Sequence, residues 1–490
     1  MPAKLDANSG WQNTLIAIAM HKLKVYTFGF PAIIQLIMKA IFRYYIIGMI
    51  SLSCFLPGMQ AQVSNQMNWP QFRGPSASGI LNGADLPVNW DLESGKNIRW
   101  KRFIPGLGHS CPVIWENKVF LTTAISGSGE NSVKVGLYGN IDDVDDESVH
   151  KFKVYCIDRE SGKLLWERMA HKGVPKTRRH TKASHANPTP ATNGKYVIAF
   201  FGSEGMYCYD IEGNLQWKKE FGRMNAGPYT SPEVEWGFAS SPVIAENKVI
   251  VQCDFIGDSF IAAYDLESGQ ELWKTMRDEI STWGTPTVFT EGNNRQVLVN
   301  GWKHMGGYSL DTGEEIWFMS GGGDAPTPTP LAANDHFYIH NAHGRYSPIY
   351  AVKKTAEGNI TLGEQETSNE HITWSIKRGG AYQSTNLVIG EYLYNLRGNG
   401  LLICFNAFTG EQIYQERLPD SAGITASGVA SDGKIYYAFE HGNVFIIKQG
   451  PEFEILGKNN MQGLIMASPA IAEDMLLIRT DQYLISIGKE

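Results

Sequence analysis

Eight short segments of this chain share one pattern, a small residue followed by Pro or an equivalent, as in "HSCPVI" (109–114) and "FASSPVI" (238–244). The position two residues before the small one varies in size and polarity. Its large members can donate, accept or stack, and we predict that they bind a ligand wherever the segments converge. These candidates are His109, Asn187, Trp283 and Gln383.

The small residue itself is a hydroxyl in seven copies and Cys111 in the eighth. Small side chains fit where strands crowd together, and hydroxyls satisfy backbone groups, so we assign these residues to structure.

Two charged loops offer other chemistry. The loop "KTRRHTKASH" (176–185) concentrates cations in a chain of net charge −7. It is either a solvated loop or a site for an anion or acidic partner, and the second interpretation adds Arg178, Arg179 and His185 to the candidate ligand-binding residues. The run "DDVDDE" (142–147) lacks the DxDxDG spacing of a calcium loop and is predicted to be solvated. We predict no metal site.

The elements that position these residues come from a second repeat. It reads "YDLESGQELW" (264–273), with relatives at 157–166, 209–217, 308–317 and 405–414. An Asp or Asn side chain can start a turn by accepting a backbone N–H, and Gly adopts positive φ easily. Apolar residues flank both, so each copy predicts a β-hairpin. We assign Trp166, Trp217, Trp273 and Trp317, which end four copies, to the scaffold.

The eight segments and their hairpins predict an all-β protein, an eight-bladed β-propeller of four-stranded blades. One repeat has lost its turn signature near 366–374, where "EHITW" is expected to form the outer strand. The last blade lacks a fourth strand. The segment 90–103 carries the second half of a hairpin, but no first strand of a blade precedes it. We therefore expect residues near 96–103 to pair with 482–488 and close the ring. Insertions are expected at 124–152 and 353–373.

The N-terminal region has the sequence pattern of an export leader. Residues 38–61 have the basic start, short apolar stretch and small cleavage-site residue of a signal peptide, and 1–37 would be an upstream extension, explained by a misassigned start. A membrane anchor and lipidation at Cys54 remain alternatives. Residues 62–490 would form a single propeller domain, periplasmic or secreted, that meets the membrane only through the leader. Nothing in the composition points to nucleic acid.

The repeated Asp-x-x-Ser/Thr-Gly-x-x-x-Trp resembles the tryptophan-docking repeat of the pyrroloquinoline quinone (PQQ) propellers over about residues 68–490. The resemblance implies that each Trp packs against the neighbouring blade. It spans two groups, the quinoprotein dehydrogenases and the cofactor-free propellers similar to the lipoproteins of outer-membrane barrel assembly. The lead-in "NWPQFRGPSASGI" (68–80) also looks like that of secreted PQQ-like propellers.

The resemblance leaves function open between these groups. The chain has no adjacent cysteine pair and no CxxCH haem motif. We therefore expect a monomeric cell-envelope binding or scaffold protein that holds a protein, peptide or glycan at its mouth. The alternative is a PQQ- and calcium-dependent dehydrogenase of alcohols or sugars, in which Trp283 would stack on the quinone.

Overall fold

Each repeat folds as four antiparallel strands, and eight such sheets form a β-propeller in the computed structural model. The model describes residues 68–136, 141–343, 346–419, 421 and 423–489, so the expected extension (1–37) and signal peptide (38–61) lie outside it. In the described ranges, no helix has the length and apolarity needed to cross a membrane. The predicted eight-bladed, all-β fold is confirmed.

From the axis outward, the strands of blades 1 to 4 are Val113–Trp115, Lys118–Ile125, His150–Asp158 and Leu164–Gly173; Ala191–Thr192, Tyr196–Phe200, Met206–Asp210 and Leu215–Lys219; Val243–Ala245, Lys248–Cys253, Phe260–Asp265 and Glu271–Met276; Thr287–Glu291, Asn294–Val299, Met305–Ser309 and Glu315–Met319. Those of blades 5 to 8 are Leu331–Ala333, His336–His340, Ile349–Lys353 and Ile372–Ile376; Leu387–Ile389, Tyr392–Leu396, Leu401–Asn406 and Gln412–Arg417; Val429–Ser431, Lys434–Ala438, Asn443–Lys448 and Ile455–Asn460; Ala470–Ala472, Met475–Arg479, Tyr483–Ile487 and Ile98–Phe103.

Short elements complete the fold. Gly358–Asn359, in the insertion of blade 5, adds a parallel strand to the outer edge of blade 4. Asp143–Val144 pairs with Arg179–His180, and two 3₁₀ turns span Pro75–Ala77 and Gly202–Glu204. "EHITW" does supply the outer strand of blade 5, as expected.

The ring closes as predicted. Ile98–Phe103 pairs antiparallel with Tyr483–Ile487, so the first long strand of the chain is the outer strand of the last blade. Trp100 from this strand donates its indole N–H to the Arg159 carbonyl of blade 1 at 2.7 Å. The pairing of the two chain ends therefore carries the same tryptophan contact as four other blade interfaces.

That contact joins each tryptophan to the turn of the next blade. Trp217 donates to the Leu266 carbonyl at 2.9 Å, and its ring covers Gly269. A Cβ at Gly269, whose φ is +70°, would lie 2.7 Å from the indole. The glycine of the repeat is thus required both by the turn and by the ring packed on it. Trp100, Trp166, Trp273 and Trp374 pack in the same way on Gly162, Gly213, Gly313 and Gly410.

Trp317 departs from this pattern. The following blade has lost the turn glycine, and Trp317 donates instead to Gln296 of its own blade at 2.9 Å while remaining fully buried. Trp317 therefore bonds within its own blade, while its ring stacks on Phe337 of blade 5 at 6.3 Å.

The apolar core lies in layers between neighbouring blades. One layer joins the Val249 face of blade 3 to blade 2, and another joins its Ile250 face to blade 4. Because the middle strands are covered on both faces, "FIAAYD" (260–265) is nearly continuously apolar, whereas the outer strand 271–276 buries mainly Trp273.

We call the end of the ring where the inner strands begin the mouth, and the opposite end the base. The lead-in crosses the base as a strap. Trp69 pairs with Ile114 of blade 1, and Ile80 pairs with Ala430 of blade 7. Between these two points, Arg73 donates to the Asn386 carbonyl of blade 6 at 2.9 Å. The strap therefore fastens blades 1, 6 and 7 to one another.

We expect Trp273→Ala to destabilise the fold by about 3–5 kcal/mol, because it empties a large buried site between blades 3 and 4. Leu272→Ala is the matched control. Its side chain is 49% exposed on the same strand, so truncation should change stability by less than about 0.5 kcal/mol. Urea unfolding monitored by circular dichroism measures both variants, and equal stabilities would contradict the docking role.

Candidate functional site

A cavity of about 460 Å³ lies on the axis and is lined by residues that precede the inner strands. All eight residues at the variable position line it, including the predicted His109, Asn187, Trp283 and Gln383. The repeat thus brings residues separated by hundreds of positions to one place. The volume falls in the range of about 300–1,000 Å³ typical of small-molecule sites.

The floor of the cavity is a hydrogen-bonded ring that joins neighbouring blades. In each bond a backbone N–H of one blade donates to the hydroxyl of the next. The bonds are Cys111 to Thr189 (2.9 Å), Thr189 to Ser241 (2.9 Å), Ser241 to Thr285 (3.0 Å), Thr329 to Thr385 (3.0 Å), Thr385 to Ser427 (2.9 Å) and Ser427 to Ser468 (2.8 Å). The structural role predicted for the hydroxyls is confirmed. The series is broken at Thr329, whose hydroxyl oxygen has no hydrogen-bond partner among the described residues.

One side of the cavity is aromatic. The rings of Trp236 and Trp283 lie 5.5 Å apart, and the Trp283 indole N–H donates to the Gly237 carbonyl at 2.9 Å. His343 and Tyr382 form a stacked pair at 5.0 Å. Trp236 and Tyr382 were missed from the sequence because they lie in irregular loops outside the repeated pattern.

Polar side chains that precede the inner strands of blades 1, 2 and 6 also line the cavity. Gln383 accepts a hydrogen bond from Thr425 through Oε1 at 3.2 Å, and no acceptor among the described residues takes its amide hydrogens. His109 also projects into the cavity. Loss of hydration, reinforced by Arg479, Arg179 and Lys182, lowers the pKa of His109 to about 3, so its imidazole is neutral at physiological pH. Asn187 is more occupied, since its amide donates to the Phe238 carbonyl at 3.1 Å.

A buried ion pair spans the mouth. Lys182 and Glu440 meet at 2.7 Å, and their side chains are 6% and 0% exposed. Glu440 also accepts from Thr425 at 2.7 Å and from the Gly136 backbone N–H at 2.7 Å. The contacts tie the blade 1 insertion and the 176–185 loop to blade 7, and they neutralise the lysine that lines the cavity.

The two arginines do not form the positive rim that the second interpretation of the 176–185 loop requires. Arg178 pairs with Asp143 and Asp145 at 3.4 and 3.0 Å. Arg179 is buried, donates to the Ser132 carbonyl at 3.1 Å and lies 3.6 Å from Glu130. Neither arginine lines the cavity, because carboxylates of the insertion hold both.

His185 also lies outside the cavity. Its ring packs against His150 at 5.1 Å, and burial lowers its pKa to about 3.

The acidic run, which was expected to be solvated, is only partly so, since the Asp145 side chain is 70% exposed. The Asp143 and Asp146 side chains are only 13% and 8% exposed. Asp146 accepts from the hydroxyls of Ser126 and Ser128 at 2.6 and 3.1 Å, and such bonds hold its pKa below the usual range even though desolvation acts to raise it. The run is a structural part of the insertion at the mouth.

The quinone alternative requires calcium ligands. Within the described ranges, no three His, Cys, Asp or Glu side chains group so as to hold a metal ion. This set of side chains does not fit a calcium-bound PQQ.

Beneath the floor, His340 of blade 5 is 1% exposed. Its Nε2 accepts from the Asn386 backbone N–H at 3.1 Å and so cannot carry a hydrogen. Desolvation and the nearby Arg73 lower its pKa to about 3. Protonation would remove the acceptor and add a buried charge.

We predict a pH-dependent stability that His340→Gln reduces. An unfolded histidine binds a proton below about pH 6.5, whereas folded His340 stays neutral down to about pH 3. Its contribution to stability therefore falls as the pH falls through this window, by about 1.4 kcal/mol per pH unit. Glutamine keeps an acceptor without titrating. Urea unfolding at pH 7 and pH 5 should show a smaller loss for the variant, and parallel losses would contradict the assignment.

Curated relatives and solved structures resemble this chain. "Outer membrane protein assembly factor BamB" of Shewanella oneidensis is 21% identical over 301 residues, covering 59% of this chain and 71% of that protein. The protein of the same name in Burkholderia pseudomallei is 28% identical over 109 residues, covering 22% and 27%. A europium-containing methanol dehydrogenase superposes with a TM-score of 0.57 at 11% identity, covering 86% of this chain and 89% of that chain. This last likeness concerns the fold alone.

The family model matches decide membership. The model described as "Outer membrane protein assembly factor BamB" matches residues 150–359 and 233–450, which together span more than half of the chain. These ranges include the hairpin repeats of blades 3 to 6. The protein therefore belongs to the PQQ-repeat propeller family that carries this description.

Proposed function

We propose that this protein is an exported β-propeller of the bacterial cell envelope that acts by binding an envelope protein through its mouth. Its family and the printed name of its relatives, an outer membrane protein assembly factor, support a partner among envelope proteins. A peptide or glycan is the other class of ligand that such a mouth would suit.

The observation that carries this proposal is an apolar rim, which we define as Ile141, Tyr229 and Tyr346. These side chains are 51%, 41% and 52% exposed. All three lie in loops that end at the mouth, either between second and third strands or between one blade and the next. Large apolar side chains that remain exposed at one end of a protein can mark a binding surface.

Two of the three rim residues are held in place by neighbouring residues. Tyr229 stacks on Trp302 at 4.9 Å, and the Ile141 carbonyl accepts from the Trp236 indole N–H at 2.8 Å. Side chains held in place lose less conformational entropy on binding. Because the nearby arginines are paired with carboxylates, apolar contact and not charge is the expected source of affinity.

Capture from envelope extract tests this rim. We expect the double variant Tyr229→Ala/Ile141→Ser to recover less of the partner bound by the wild type, by about tenfold or more if these residues form a hot spot. Phe408→Ala is the matched control, because Phe408 is 44% exposed but lies in a turn at the base. Equal recovery by all three proteins would refute the rim as the binding surface.

Export is a separate part of the proposal. Cleavage after Ala61 would leave a mature protein that begins near Gln62, just before the strap. N-terminal sequencing of the envelope fraction should give Gln62 or a neighbour. Recovery of the intact leader on the mature chain would instead favour a membrane anchor.

A further inference from the structure

The hydroxyl ring of the floor has hydrogens left to donate. Thr189, Ser241, Thr285, Thr385, Ser427 and Ser468 each accept a backbone N–H, line the cavity and are at most 4% exposed. Each hydroxyl keeps one O–H of its own. Those of Thr189 and Ser468 are directed to the Cys111 thiol, whereas the described structure provides no acceptor for those of Ser241, Thr285, Thr385 and Ser427. Several buried donors at one end of a cavity suit a ligand group that only accepts, such as a carboxylate.

Two buried arginines lie behind this floor. Arg479 donates to the Ser110 and Thr122 carbonyls, both at 2.9 Å, and Arg73 is held by the carbonyls of the strap and of blade 6. Neither pairs with a carboxylate within the described structure, and both interact with the Cys111 thiol that lines the cavity. Buried charge without a counter-ion is costly, so a negative group on the floor would be stabilised.

Above the floor, the walls suit a ring with one apolar face and several hydroxyls. Trp283 is fixed by its bond to Gly237 and offers an aromatic surface. Elsewhere on the wall, Gln383 has free amide hydrogens, and the neutral imidazole of His109 can both donate and accept. The C–H face of a sugar packs on an aromatic ring while its hydroxyls bond to amides.

We propose that the axial cavity binds a small saccharide that carries an acidic group, with the acid on the hydroxyl ring and the sugar ring against Trp283. This goes beyond the proposed function, since it assigns a second site with a different ligand. The rim would hold a macromolecule, and the cavity below it a small molecule.

Isothermal titration calorimetry on the full protein tests the site, with sodium D-glucuronate, D-glucose and sodium acetate as probes. We expect glucuronate to bind at least about tenfold more tightly than glucose, which corresponds to about 1.4 kcal/mol, and more tightly than acetate. Trp283→Leu and, as a milder change, Gln383→Leu should both weaken glucuronate binding. Phe408→Leu at the base should not, and thermal unfolding checks that each variant folds.

Four results would overturn the proposal: no binding of glucuronate, equal affinity for glucose, equal affinity for acetate, or unchanged binding in both cavity variants. Equal affinity for acetate would mean a simple anion site. The single rim variant Tyr229→Ala separates the two proposals, because Tyr229 is not among the residues that line the cavity. It should weaken capture of the envelope partner while keeping glucuronate binding.

Discussion

The backbone N–H to hydroxyl bond between neighbouring inner strands is the interaction on which this propeller depends. Strands that converge on an axis must bury backbone donors where no further strand can pair with them. A short hydroxyl from the next blade satisfies the donor and is small enough for the crowded centre. Six such bonds lie around the axis in two runs of three, interrupted at Thr329, so the bonds that join the blades also form the floor of the cavity.

A second set of contacts repeats this arrangement farther out. There the tryptophan of one blade covers the turn glycine of the next. Adjoining blades are therefore held together both near the axis and at the outer edge of the propeller. The apolar layers lie between these two sets of contacts. They stabilise the fold but do not fix the orientation of one blade relative to the next. The polar contacts therefore set the register of the blades, while burial supplies most of the free energy.

The fold could be predicted from the sequence because its repeated motifs act over short distances. Asp265, Gly269 and Trp273 act within one turn or one blade interface, so their spacing survives in the sequence. The pairing of Lys182 with Glu440 does not, because 258 positions separate them and only the closed ring brings them together. The same holds for Arg178 and Arg179, whose carboxylate partners lie in an insertion outside the repeat. Position on the axis was predictable for the cavity residues, but their charge state was not.

The pairing of Ile98–Phe103 with Tyr483–Ile487 also determines when, during synthesis, the last blade can form. A ribosome makes the first of these strands long before the second, so the last blade cannot be completed until almost the whole chain has emerged. Until then, blade 1 lacks the Trp100 contact on its open side, and a single β-edge stays unpaired at each end of the growing arc. The molecule becomes a ring in one late step, and a chain cut short anywhere remains an open arc.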